Sequence, residues 1–192
     1  MPKELDLPVA EFKTQTAWEK WLAKNHDKSQ GVWMRFYKKA SGVKSMNYDQ
    51  ALDGALCYGW IDGQTNKYDD VSWVQRFTPR RARSGWSKRN VGHVARLIEA
   101  GKMHLAGQAQ IDAAKADGRW EIAYDSHSTM TIPEDFLKAL AKNKKAKAFF
   151  DSLNKANLFS IAYRLQTAKT PETREKRMKK ILEMMKNGEK FH

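Results

Sequence analysis

Residues 60–90 read WIDGQTNKYDDVSWVQRFTPRRARSGWSKRN, and the fold is decided by how this stretch is divided. Two runs rich in β-branched and aromatic residues, Trp60 to Lys67 and Val71 to Thr78, flank the polar trio Tyr68-Asp69-Asp70. That is the pattern of two strands joined by a short connection. In the second run Trp73, Gln75 and Phe77 share one face and Val74 and Arg76 the other, because strand side chains alternate. Pro79 has no N–H to give to a ladder and ends the pairing. A loop with three arginines follows, and a helix opens at Trp86 or Ser87. It carries Val91, Val94, Ala95 and Ile98 and stops at Gly101.

Working outward toward the N-terminus, Asn47-Tyr-Asp-Gln50 is a capping box before a short apolar helix through Leu56. Val32, Met34 and Phe36 alternate with Trp33, Arg35 and Tyr37 as in a strand. Thr16-Ala-Trp-Glu19 is a second capping box, which predicts a helix with Trp18, Trp21 and Leu22 toward the core, and residues 1–14 read as an irregular lead-in. Toward the C-terminus, a helix from Leu105 to Ala116 is followed by a stretch, Trp120 to Met130, with no clear period. From Pro133 onward the spacing is helical throughout: four short helices, the last opened by Thr170-Pro171 and stopped at Gly188. The expected class is α+β: a small, mainly antiparallel sheet packed by helices in residues 1–131, then a helical module in residues 132–192.

The totals fit that class. A chain of 192 residues with 41% hydrophobic content and seven Trp has ample material for a core. One cysteine, Cys57, excludes an intrachain disulfide, and its apolar neighbours predict a buried thiol. No apolar run is long enough for a membrane span, and the first residues lack the apolar core of a signal peptide, so the expected location is the cytoplasm. Lys and Arg number 35 against 22 Asp and Glu, for a net charge of +13, and residues 132–192 hold 15 basic against 7 acidic residues. Such a field draws anions, although Lys-rich helices also serve solubility alone.

The arginines after Pro79 concentrate this charge. Between Asp70 and Glu99 there is no acidic residue, and Arg76, Arg80, Arg81, Arg83, Lys88, Arg89 and Arg96 fall in the gap. A helix start offers unpaired N–H groups, and guanidinium forks offer paired donors suited to phosphate or carboxylate. Thr78, Arg80, Arg81, Arg83, Ser84, Ser87 and Asn90 are therefore candidate contacts for an oxyanion. Trp60, Trp73 and Trp86 are candidates for a flat wall, and Tyr124, beside Asp125, for a group folding over the loop. Asp62 is a candidate contact and a candidate general base, although Asp-Gly is also a common turn pair. The arginines can instead pair with Asp62, Asp69 and Asp70 and pin the loop. The five histidines are scattered without zinc spacing, and no Walker loop, dinucleotide fingerprint or Gly-x-Ser-x-Gly occurs, so no metal or cofactor is expected. Three functions follow: a binding protein for a phosphate-containing or other small anionic ligand, a nucleic-acid-binding protein, and an enzyme on an anionic substrate with Asp62 beside Arg80, Arg81 and Ser87. The sequence says nothing of oligomeric state.

Five motifs in order resemble the YdeI/OmpD-associated family: Ala-Leu-Cys-Tyr-Gly-Trp-Ile-Asp-Gly (55–63), Arg-Phe-Thr-Pro-Arg-Arg (76–81), Ser-Gly-Trp-Ser-Lys-Arg-Asn (84–90), Gly-Arg-Trp (118–120) and Ala-Tyr-Asp (123–125). The run Ala168-Lys-Thr-Pro-Glu-Thr-Arg174, followed by Arg177, resembles that family's helical bacteriocin-protection region, and the resemblance extends from about Trp18 to Gly188. It implies a link to tolerance of cationic antimicrobial peptides and, for the C-terminal region, a periplasmic setting. It implies no enzymatic activity and supplies no catalytic residues. A chain of charge +13 repels cationic peptides, so a protective role would be indirect.

Overall fold

The computed structural model describes residues 5–126 and 129–191. The elements run β1 (Val9–Ala10), α1 (Gln15–Asn25), β2 (Val32–Tyr37), a 3₁₀ turn (Lys39–Ser41), α2 (Tyr48–Cys57), β3 (Trp60–Lys67), β4 (Ser72–Pro79), α3 (Lys88–Glu99) and α4 (Leu105–Ala116). Then come α5 (Glu134–Ala141), α6 (Lys144–Asp151), α7 (Lys155–Gln166) and α8 (Pro171–Asn187). The chain forms two compact units, Met1–Ser84 with Gly92–Ala113, and Gly85–Val91 with Ala114–His192. The fold is α+β, with a four-stranded sheet in the first unit and helices α5 to α8 in the second.

The sheet has the order β1-β2-β4-β3. β4 pairs antiparallel with β2 and β3, and β1 lies parallel to β2, so the sheet is mixed but mainly antiparallel. Register puts Val32 opposite Phe77, Met34 opposite Gln75 and Phe36 opposite Trp73. These side chains share the face that packs on α1 and α2, in a core with Trp18, Leu22, Ala51, Ala55 and Trp60. On the other face Arg35 bonds Glu11 and Asp69, and Arg76 bonds Asp6.

Two details of the N-terminal region differ from the sequence reading. The lead-in contains a strand: Val9 and Ala10 pair with Trp33 and Met34. Two residues are too few to show a period, and their backbone pairing comes from the neighbouring strand. The cap of α1 is Thr14, whose side chain accepts from the Ala17 amide at 3.2 Å, and not Thr16. Glu19, which would close a box with Thr16, instead accepts from the Gln15 side chain at 2.8 Å. The capping box at Asn47 and Gln50 forms as read.

In the second unit, Phe136, Leu140, Ala146, Phe150, Ile161, Leu165, Ile181 and Met185 form a core among α5 to α8. Asn143, Asn154 and Thr170 each cap the helix that follows them, and Gly188, at φ 72°, ends α8 in the left-handed conformation that glycine adopts without a side-chain clash.

Candidate functional site

β4 ends at Pro79, where the Arg80 amide still reaches the Gly59 carbonyl at 2.9 Å. The Arg80 side chain turns inward and is 6% exposed. Arg81 and Arg83 lie on the surface. Ser84 shapes this loop: its hydroxyl accepts from the Arg81 amide at 3.1 Å, and its own amide donates to the Arg81 carbonyl at 2.9 Å. Among the described residues no side-chain hydrogen bond or ion pair engages Arg81 or Arg83. The aspartates that could have pinned the loop have their bonded partners elsewhere. Asp69 binds Arg35 at 2.6 Å, Asp70 binds Lys67 at 2.7 Å, and Asp62 accepts from the Tyr48 hydroxyl at 2.7 Å.

Trp60 is fully buried, with its ring edge-on to Trp18 and Trp21 and its Nε1 donating to the His26 carbonyl at 3.0 Å. It is a core ring. Thr78 is half-buried on β4 opposite Ile61.

Asp62 lines a pocket of about 370 Å³ with Tyr48, Gly63, Thr65, Trp73 and Gln75. A bulge in β3 builds it. Asp62 pairs with Phe77 and Thr65 with Gln75, so three steps on β3 match two on β4. The extra residue brings Asp62 and Thr65 onto one face, where strict alternation would place them on opposite faces. Gln75, buried in the floor, accepts from the Thr65 hydroxyl at 2.6 Å and donates to the Gly63 carbonyl at 2.9 Å. None of Arg80, Arg81 or Arg83 lines this pocket. The enzyme reading needs Asp62 in one pocket with the arginines, and this arrangement does not supply it.

In the second unit, Ser87 sits at the start of α3, its hydroxyl accepting from the Asn90 amide at 3.2 Å. Both residues are buried. Trp86 is buried against Trp120, with ring centroids 4.9 Å apart. Tyr124 clips this segment: its amide donates to the Trp86 carbonyl at 2.9 Å and its carbonyl accepts from the Lys88 amide at 2.8 Å. Its ring meets Tyr163 edge-on at 4.8 Å. Asp125 binds Lys88 at 2.8 Å and exchanges two hydrogen bonds with the Gln166 amide. The Lys88 and Gln166 contacts hold its carboxyl below the usual range. Arg119, inside the Gly-Arg-Trp motif, is buried and bonds Asp117 through Nε at 2.6 Å. Arg174 binds Asp135, and Arg177 donates to the Arg164 carbonyl near the end of α7, so both motif arginines of α8 hold the helices together.

Sequence reasoning missed Tyr48, Thr65 and Gln75 as pocket walls. Gly63 was the available signal, since an isolated glycine inside a strand pattern marks a bulge. Among the described residues no group of His, Cys, Asp or Glu is placed to hold a metal ion, and no helix is long and apolar enough to cross a membrane. Burial pushes the Cys57 thiol up to about 11, which keeps it protonated at neutral pH.

No curated protein and no solved structure matches the chain. Two families do. Residues 10–110 match the family described as Domain of unknown function (DUF8412), and residues 129–188 match the one described as Bacteriocin-protection, YdeI or OmpD-Associated. The motifs at 55–63, 76–81 and 84–90 fall in the first match, the Ala168–Arg174 run falls in the second, and the motifs at 118–120 and 123–125 lie between the two. The chain therefore belongs to the DUF8412 family over more than half its length, and its C-terminal helices are a YdeI/OmpD-associated region.

Proposed function

We propose that the protein binds a small anionic ligand carrying phosphate, and that Arg81 and Arg83 make the contact. One observation carries this reading. Both guanidinium groups are exposed and make no side-chain bond among the described residues, in a stretch free of acidic residues from 71 to 98. An arginine kept for structure spends its donors on protein oxygens, as Arg35, Arg174 and Arg177 do here. Arg81 and Arg83 keep five donors each available to an oxyanion. The net charge of +13 adds a long-range attraction that raises the encounter rate. The YdeI/OmpD-associated region connects the proposal to stress or antimicrobial-peptide tolerance, by a route that does not involve direct capture of cationic peptides.

The test is a titration of the whole chain with inorganic phosphate, a nucleoside triphosphate and a short single-stranded oligonucleotide, read by calorimetry. Saturable binding of phosphate or the nucleotide is expected, weakened about tenfold or more in the Arg81→Ala/Arg83→Ala double variant. Both side chains are on the surface, so the variant should melt like the parent. Binding of the oligonucleotide alone, falling steeply with salt, would replace this reading with nucleic-acid binding. No saturable binding of any of the three sinks both.

A further inference from the structure

We infer that the pocket around Asp62 is a second ligand site, one that takes a small organic cation such as a protonated alkylamine. This inference does not rest on the anion proposal and uses none of its residues. The pocket's volume of about 370 Å³ is at the small end of the range for ligand sites. Its walls are two aromatic rings, its floor is a buried amide, and its single charge is a carboxylate.

The polar groups of the pocket decide the ligand class. The Gln75 carbonyl oxygen is taken by Thr65, and an N–H of its amide by the Gly63 carbonyl. One Asp62 oxygen accepts from the Tyr48 hydroxyl, and no bond engages the other among the described residues. The main polar feature still open to a guest is therefore one carboxylate oxygen. A sugar needs several donors and acceptors in an array and would find few here. A cation needs a counter-ion and aromatic faces, and both are present. Trp73 stacks one face on Phe36 at 4.6 Å, and the rest of its indole lines the pocket. Tyr48 lies 6.4 Å from Trp73, centroid to centroid. Indole is the ring most attractive to a cation.

Asp62 also differs from four other aspartates of the first unit. Asp6 faces Arg76, Asp53 faces Arg96 and His93, Asp69 faces Arg35, and Asp70 faces Lys67. In a chain with 35 basic residues, Asp62 has a phenol as its bonded partner and, among the described residues, no basic side chain. Arg76, next to Asp62's register partner Phe77, extends from the opposite face of β4 and is bound to Asp6. The overall positive field does not forbid a cationic guest. At physiological ionic strength it is screened beyond about 8 Å, and inside the pocket the contacting carboxylate dominates.

The test follows amide and indole resonances of the whole protein during titration with butylammonium chloride, with 1-butanol, glucose and sodium chloride as controls. Saturable shifts at residues 62–65 and at the Trp73 indole are expected with butylammonium, and far smaller ones with the controls. Asp62→Asn keeps the volume and an oxygen for the Tyr48 hydroxyl, so the fold should be retained, which an unchanged thermal melt checks. It should weaken butylammonium by about tenfold or more. Absence of pocket shifts overturns the inference. So does equal binding by the Asn variant, which would mean apolar contact alone, and so does a stronger response to glucose, which would make this a polyol site. If the Asn variant melts early, chemical shifts of butylammonium on the native protein against ionic strength decide the matter. A cation held by a carboxylate loses affinity as salt rises, and an affinity indifferent to salt overturns the assignment.

Discussion

Beneath the sheet, Trp18 stacks on Trp21 at 5.3 Å and both set their rings edge-on to Trp60. Among α5 to α8, by contrast, the core consists of Phe, Leu, Ile, Ala and Met. A buried indole needs a partner for its N–H. Trp18 gives its N–H to the Ala51 carbonyl at 3.0 Å, tying α1 to α2, and Trp60 gives its own to the His26 carbonyl, tying β3 to the end of α1. The sheet core is thus fixed by direction as well as by shape. The helical core has no such anchors among its apolar side chains. Its helices are positioned at their ends, by the Asn143, Asn154 and Thr170 caps and by ion pairs such as Arg174 with Asp135. The core beneath the sheet is specified from inside, and the apolar core among α5 to α8 largely from its rim.

The largest effect that can break this contrast is Trp18→Ala. Trp18 is fully buried and touches Phe12, Trp21, Trp60 and Phe77. Removing it leaves a large cavity and a carbonyl without its indole donor, at an expected cost of about 3–5 kcal/mol in denaturant unfolding. A loss under about 1 kcal/mol would mean that the aromatic cluster does not organise the sheet unit. Thr170→Ala comes next. It removes the hydroxyl that accepts from the Thr173 amide at 3.1 Å, and with it the N-cap of the longest described helix. The expected cost is about 1 kcal/mol, with faster amide exchange confined to the first turn of α8. No change in either would show that Pro171 alone fixes that end.

How legible all this was in the sequence follows from the range of the forces involved. The bounds of α4 and β3, the Asn47 box and the Thr170-Pro171 start depend on neighbours a few residues apart, and they were readable. β1 was not, because its two residues are held by a strand more than twenty positions away. Thr16 read as the cap of α1, but Thr14 takes that place and Glu19 bonds Gln15. At the site, the run of arginines was visible, but its spacing could not show that Arg80 turns inward while Arg81 and Arg83 stay out. Asp62-Gly63 read as a turn or a general base. It is the start of a bulge in mid-strand, and its neighbours come from other elements: Trp73 through the sheet register and Tyr48 through the packing of α2 on β3.

The smallest effect separates the two kinds of support most cleanly, because it depends on pH. Indole contacts do not titrate, whereas rim contacts through carboxylates do. Asp125 is held below the usual carboxylate range by its bonds to Lys88 and Gln166. Its folded pKa therefore lies below its unfolded one. The stability it adds is present in full above the ordinary carboxylate range, drains as pH falls through that range toward the folded value, and is gone below both. Lys88 is mostly exposed, so solvent screens the pair and its contribution is small. Asp125→Asn should accordingly be slightly less stable than the parent at about pH 7, and the deficit should shrink as pH falls through the ordinary carboxylate range and vanish once the parent's carboxylate is also protonated. Trp18→Ala should keep most of its deficit across the same range, as far as the fold survives acid. If the Asp125→Asn deficit instead persists unchanged in acid, the residue acts through shape and not through charge, and the division between an indole-pinned sheet and a charge-pinned helical rim would have to be redrawn at that residue.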